Sequence, residues 1–372
     1  MDINKLKRSL ISIVRNIPGR SVGKKIVVLE CDDWGSIGMP SKAVYEKLLK
    51  AGLPVDGNRY ERNDTLESDT DLDALFSVLK KHQDAEGNYA VMSPFCNMAN
   101  PDFEKIKKDN YRVYHREIFT DTYKRYLRSD AMMDVWRQGL GDGVFVPEYH
   151  GREHIATDLW LKSLQKEGTK LRIGFDHGFV AHSPAGIPEA AKNFRPNFYI
   201  EDQRNMAPLR DALDEGIDLF NRSFDGAPVV FNAPNGVFIP EFNSTLLKKG
   251  IRFNAVPRRR LDRDAGGEYV YKTFKTGYKT AEGLTCYVRN CNFEPTEEGY
   301  RNTDHVMNQI SGAFVCGKAA VIGTHRANFV GGIHESNRSK GLAELDILLK
   351  QILAKWPDVR FMSSRDFTAY IK

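Results

Sequence analysis

Two histidines four positions apart, in His150-Gly151-Arg152-Glu153-His154, form the strongest reactive signal in the chain. Placed across a helix start, two imidazoles at this spacing can point at one ion. A second polar cluster, Asp32-Asp33, closes the apolar run Ile26 to Cys31. Two imidazoles and one carboxylate leave coordination positions open to water on a divalent ion, which is the pattern of a catalytic rather than a structural site. Zinc is the first choice for that ion, with cobalt, nickel, manganese or iron as further candidates. Adjacent residues on a regular strand point to opposite faces, so Asp32 and Asp33 serve one site only if the backbone bends there. Gly35 is placed to allow the bend; otherwise one carboxylate binds metal and the other caps a loop. Asn232 and His325 also stand at the ends of apolar runs.

Those runs set the fold. Ile26–Cys31, 89–92, 144–146, 229–231, 252–256, 285–288 and 319–322 read as buried strands, rich in β-branched and aromatic residues. Helical spacing separates most of them, at 41–51, 72–82, 155–167, 209–220, 242–249, 304–315 and 341–356, with Ser41 a candidate cap. Alternating strands and helices predict an α/β chain folded as a distorted (β/α) barrel of seven or eight parallel strands. Reactive groups in such barrels gather where strands end, because those ends converge on one open face. The expected organisation is an amino-terminal helix over 1–24 packed on a single barrel over 25–372, with the Arg/Gly/Asp-rich stretch 258–268 as a long excursion whose Arg258, Arg259 and Arg260 form a solvated loop.

Composition narrows the function classes. The 372 residues are 41% hydrophobic and 28% charged, enough to bury a core without cross-links. No apolar run approaches the ~20 residues needed to span a bilayer. The amino terminus carries Lys5, Lys7, Arg8 and Arg15 among its apolar positions, which argues against a secretory segment, and a helix packed on the domain is preferred to one lying on a membrane. The five scattered cysteines form no C-x-x-C pair, so neither a disulfide framework nor a thiolate metal site is expected, and the chain reads as cytoplasmic. A net charge of +5 with no aromatic interleaving near the arginines excludes a nucleic-acid motif.

Taken together, Glu-Cys-Asp-Asp-Trp-Gly-Ser at 30–36, the His150/His154 pair, Ala-Pro-Asn-Gly at 233–236 and Ile-Gly-Thr-His at 322–325 resemble the ordered motifs of polysaccharide deacetylases, carbohydrate esterase family four. The resemblance spans roughly 26–329. It implies Asp32 as catalytic base, Asp33, His150 and His154 as metal ligands, the Asn235 backbone N–H as oxyanion donor, and His325 as catalytic acid. It also implies an acetylated sugar or glycan as substrate. The chain departs from that pattern at Asn232, where the family carries an arginine that steers the base; Arg289 or Arg326 is the expected replacement. Gly151 replaces a Ser or Thr, and Trp34 precedes the Gly of the first motif, where its ring could meet a sugar. Trp34, Asn232, Arg289 and Arg326 are thus the candidate substrate-binding residues. The segments 99–103, 289–295 and 325–329 also resemble a divergent bacterial group loosely described as polysaccharide (de)acetylases.

Two other readings remain: a related-barrel glycoside hydrolase using Asp32 and Glu294, and a catalytically silent carbohydrate-binding protein. Asp176, His177 and His182 could line the same cleft or be structural. Glu148 and Glu153, flanking His150, either orient an imidazole or face water, with water preferred for Glu153.

Overall fold

A computed structural model describes residues 3–166, 168–180, 191, 193–300 and 302–371, so His182 and Glu167 lie outside the described residues. Eight parallel strands form the frame: β1 (Ile26–Trp34), β2 (Met92–Asn97), β3 (Glu148–Gly151), β4 (Val230–Asn232), β5 (Phe253–Val256), β6 (Thr285–Val288), β7 (Cys291–Asn292) and β8 (Ala320–His325). Their order is β6-β5-β4-β3-β2-β1-β8-β7. The short strand Tyr278–Lys279 lies antiparallel on β6, and Arg360–Phe361 runs beside the start of β1.

β6 and β7 stand at opposite ends of this order, yet only Arg289 and Asn290 separate them in sequence. The sheet must therefore curl until its ends meet. At the join, the Arg289 N–H donates to Val256 of β5 at 3.0 Å, and the Asn290 N–H donates to Val321 of β8 at 3.1 Å. The result is a distorted (β/α) barrel whose ends are bridged by two residues.

All nine residues of β1 are buried, as expected of a parallel strand covered on both faces. Alternation divides them. Val27, Leu29 and Cys31 pack outward with helix residues such as Leu72, Leu75, Leu345 and Leu348, whereas Ile26 and Val28 point inward with Phe95, Val230, Phe253, Tyr287 and Val321. Phe367 and Ile371, from the carboxy-terminal turn of chain, join this inner cluster. The inward positions continue as Glu30 and Asp32, so the barrel interior changes from apolar to charged toward one end.

Most expected helices form with shifted ends. Lys42–Lys50 is capped by the Ser41 hydroxyl, which accepts from Val44, and Asp69–Leu79 starts with a reciprocal cap between Ser68 and Asp71. Three expectations are corrected. The run 144–146 is not a strand: Phe145 makes a single bridge to Met92 and packs among Trp34, Phe76 and Trp136, and the strand begins later, at Glu148. The helix expected from Ile155 starts at Thr157, so His150 ends a strand and His154 lies in the loop after it, not across a helix start. The stretch after Arg258 is ordered as Arg259–Arg263, which pairs with Tyr269–Thr273 and Val237–Phe238 in a small sheet. There Arg260 is buried against Asp262 at 2.6 Å, its guanidinium over the Phe238 and Phe274 rings, so it is no solvated side chain.

The amino-terminal helix, Ile3–Asn16, lies along Thr303–Val315 by its small and polar residues. The Ser12 hydroxyl donates to the Gln309 carbonyl, and any side chain at Gly312 would collide with Ser12. Leu10, Ile11 and Val14 remain exposed. Among the described residues no helix is long and apolar enough to cross a membrane, and all five cysteines are unpaired.

Candidate active site

The strand ends of β1, β3, β4 and β8 bring the reactive residues together. β1 loses register between Cys31 and Trp34, where Asp33 adopts φ +76°. This irregularity answers the problem posed by adjacent carboxylates: Asp32 keeps the inward direction of Glu30, and Asp33 is turned back toward the same end of the barrel. Gly35 follows at φ +74°, and a Cβ there would lie 2.6 Å from the Asn97 carbonyl oxygen. A residue with a side chain cannot close this turn without moving β2.

Asp33, His150 and His154 each offer one ligand atom, all within 4.8 Å of one another, and all three residues are buried. Asp33 Oδ1 lies 2.9 Å from His154 Nε2 and 3.6 Å from His150 Nε2. The His150 Nδ1–H donates to the Asn232 carbonyl at 2.9 Å, which leaves the Nε2 lone pair facing Asp33. Among the described residues Asp33 Oδ1 and His150 Nε2 are buried and make no well-aligned hydrogen bond, although His154 Nε2 stands 2.9 Å from the former. Buried polar atoms are rarely left so, and two that face each other from a carboxylate and an imidazole fit a divalent cation. Burial opposes ionisation of Asp33, but His154, His150 and His325 together outweigh it and hold the carboxyl well below its ordinary value. Burial also lowers His154, against the pull of Asp33, which favours the neutral imidazole a metal requires.

Asp32 is gripped from the join of the barrel. Arg289 Nη1 and Nη2 donate to its two oxygens at 2.6 and 2.8 Å, while Nε donates to Glu30 at 2.6 Å. Glu30 also accepts from the Ser364 and Tyr287 hydroxyls. Although burial opposes the charge, Arg289 outweighs it and lowers the Asp32 pKa. Of the two arginines expected beside Asp32, Arg289 is the one that contacts it. Asn232 instead donates from its amide to Ala255 and orients His150 through its carbonyl.

His325 ends β8 with Nε2 4.0 Å from Asp32 Oδ2. Its Nδ1–H donates to Glu294 at 2.6 Å, and the Tyr60 ring meets it edge-on at 5.4 Å. Burial disfavours the imidazolium, but Glu294 more than offsets this and raises the His325 pKa to about 9. The other Glu294 oxygen accepts from Arg59 and Asn328, each at 2.7 Å. With both oxygens engaged, Glu294 supports His325 and is not placed to act as the second carboxylate of a glycoside hydrolase.

Two expected substrate contacts lie elsewhere. Trp34 is 1% exposed and packs edge-on against Trp136 and Phe145, so it cannot meet a sugar. Arg326 is fully buried: it donates twice to Asp64 at 3.0 Å and once to Glu67 at 2.6 Å. Glu67 in turn accepts from the Gly35 N–H at 3.0 Å, so Arg326 braces the β1 turn from behind. Neither flanking glutamate faces water. Glu148 binds the Val229 and Val230 N–H groups and Arg365, with burial raising its pKa to about 7, and Glu153 is buried against Arg152 at 2.5 Å. Asp176 pairs with Lys107 on the surface.

A cleft of about 800 Å³ is lined by Asp32, Asn232, Asn235, Arg289 and His325, with Asp33, His150 and His154 buried outside its lining. Asn235 holds φ +52° in the exposed Pro234–Gly236 turn, its side chain donating to Asn193 at 3.2 Å. The residues missed in the sequence are Glu30, Arg59, Glu67 and Glu294 in its supporting role. Glu30 carried a signal, since it stands two positions before Asp32 and shares its face.

No family profile and no curated protein matches this sequence. Solved structures similar to the chain include 4-α-glucanotransferase from Thermococcus litoralis, at TM-score 0.44 and 10% identity over 93% of this chain and 40% of that one. They also include peptidoglycan deacetylase from Bacillus subtilis, at TM-score 0.39 and 9% identity over 94% and 93% of the two chains. An allantoinase matches at TM-score 0.42 and 10% identity, over 96% and 92%. The chain thus spans about 40% of the length of the glucanotransferase.

Proposed function

We propose that the chain is a metal-dependent hydrolase that removes acetyl groups from a carbohydrate, cleaving an amide and, by the same steps, an ester. The observation that carries this reading is the buried Asp33/His150/His154 set next to Asp32 and His325, an ionised carboxylate and a protonated imidazole that line the cleft. Asp33, His150 and His154 would hold the ion, zinc by first choice on donor type. When bound, it would supply Lewis-acid polarisation of the acyl carbonyl and a more acidic water.

Asp32 accepts the proton of the attacking water. Arg289 keeps that carboxylate ionised and fixed in direction. His325, held protonated by Glu294, donates to the departing nitrogen or oxygen. The Asn235 N–H is assigned to the developing oxyanion, a donor whose loss in comparable sites costs about 3 kcal/mol. The carbohydrate preference rests on the motif resemblance, and the acid–base assignment on the geometry.

Elemental analysis of the purified protein should give one equivalent of a transition metal, lost in the His150→Ala, His154→Ala double variant. Acetate release should be measured on N- and O-acetylated sugars. Asp32→Asn should keep the metal and lose on the order of 10²–10⁴ in rate. A protein that binds no metal after reconstitution would overturn this reading in favour of the silent carbohydrate-binding protein.

A further inference from the structure

The cleft continues away from Asp32 onto a shelf built from separated parts of the chain: the end of the amino-terminal helix at Arg15, the pair Arg258 and Arg259, and Lys275. Among the described lining residues the only carboxylate is Asp32, and Arg289 already neutralises it. Arg15, Arg258, Arg259 and Lys275 have no ion pair among the described residues. Their neighbour Arg260 does, being turned the other way onto Asp262. The shelf is also tied together. Arg258 donates to the Arg15 carbonyl, the Arg20 N–H donates to the Thr276 carbonyl at 2.8 Å, and Arg259 lies 4.7 Å over the Tyr271 ring.

Like charges brought together by tertiary structure repel one another, and a cleft lined by one sign concentrates the opposite ion. Guanidinium groups match the paired oxygens of a phosphate or carboxylate. We infer that the shelf is a binding site for an anionic group carried by the substrate, so that the acetylated sugar enters as a phosphorylated or carboxylated species. The substrate part of this inference rests on the deacetylase reading; the anion site does not.

The probe for the site is inorganic pyrophosphate, titrated calorimetrically into the metal-loaded protein. Binding that weakens as salt is raised, and that is at least tenfold weaker in Arg258→Gln, Arg259→Gln, Lys275→Gln with metal content unchanged, is the expected result. Absence of binding, or equal binding to the triple variant as for pyrophosphate seated on the metal, overturns it. Acetate release is then compared for a neutral N-acetylhexosamine, its 1-phosphate and the matching N-acetyl uronic acid. A tenfold or greater kcat/KM preference for the phosphate or for the uronic acid identifies which anion the shelf reads. Equal rates on the neutral sugar overturn the substrate assignment. No acetate from any of the three, with pyrophosphate binding intact, sinks the deacetylase reading and leaves the anion site standing.

Discussion

At the residue level, the site keeps two titrating groups apart in the direction that catalysis requires. Asp32 is depressed by Arg289, and His325 is raised to about 9 by Glu294. An acid must be protonated to work, so turnover should hold below that value and fall as pH rises through about 9. In Glu294→Gln the strongest influence raising the imidazole is lost, leaving burial opposed only by Asp33 and Asp32, and the alkaline limb of kcat should move to lower pH. A limb that stays in place in a kcat–pH profile of the variant would remove His325 from the acid role. Asp32, Asp33 and His325 were legible as candidates because each ends an apolar run, and His150 and His154 because of their spacing. Trp34 and Arg326 were misread for one reason: nearness in sequence to Asp33 and His325 says nothing about the face on which a side chain lies.

Among the elements, the bend in β1 matters most. Gly35 in the sequence announced a turn, but the positive φ at Asp33 was not readable, because such a conformation in a non-glycine residue is imposed by its surroundings. Here Asn97 presses on Gly35 from β2, and Glu67 holds the Gly35 N–H. Gly35→Ala should therefore lower stability by about 1–3 kcal/mol and reduce metal content, read by denaturant unfolding and elemental analysis. Full metal occupancy in that variant would show that the bend does not set the ligand geometry. The position of Arg289 was likewise hidden. Its partners Glu30 and Asp32 are some 260 residues away, and only closure of the barrel brings them within reach.

For the molecule as a whole, the periodicity predicted a barrel of seven or eight strands, because most strands buried on both faces leave apolar runs; Glu148–Gly151 and Cys291–Asn292 left none. It did not predict the ionic framework that holds the loops. Arg326 with Asp64 and Glu67 is the most enclosed part of that framework, all three side chains being inaccessible. Removing the cation strands two buried carboxylates, so Arg326→Ala should cost about 3–5 kcal/mol in urea unfolding, far more than loss of an exposed pair. A change under 1 kcal/mol would mean that water reaches those carboxylates.

The two residues bridging the barrel ends give the proposed catalytic base a mechanical duty. Arg289 hydrogen-bonds to β5 through its backbone N–H and reaches inward to Asp32 through its guanidinium, so one residue is both the clasp of the hoop and the leash on the proposed base. Because the folded Asp32 pKa is depressed, its contribution to stability is present above the ordinary carboxylate range and is lost as pH falls through the depressed value. Protonation of Asp32 should then contribute both to acid inactivation and to loosening of the barrel join. Hydrogen exchange at Asn290 and activity, followed together on acidification, should fail in step.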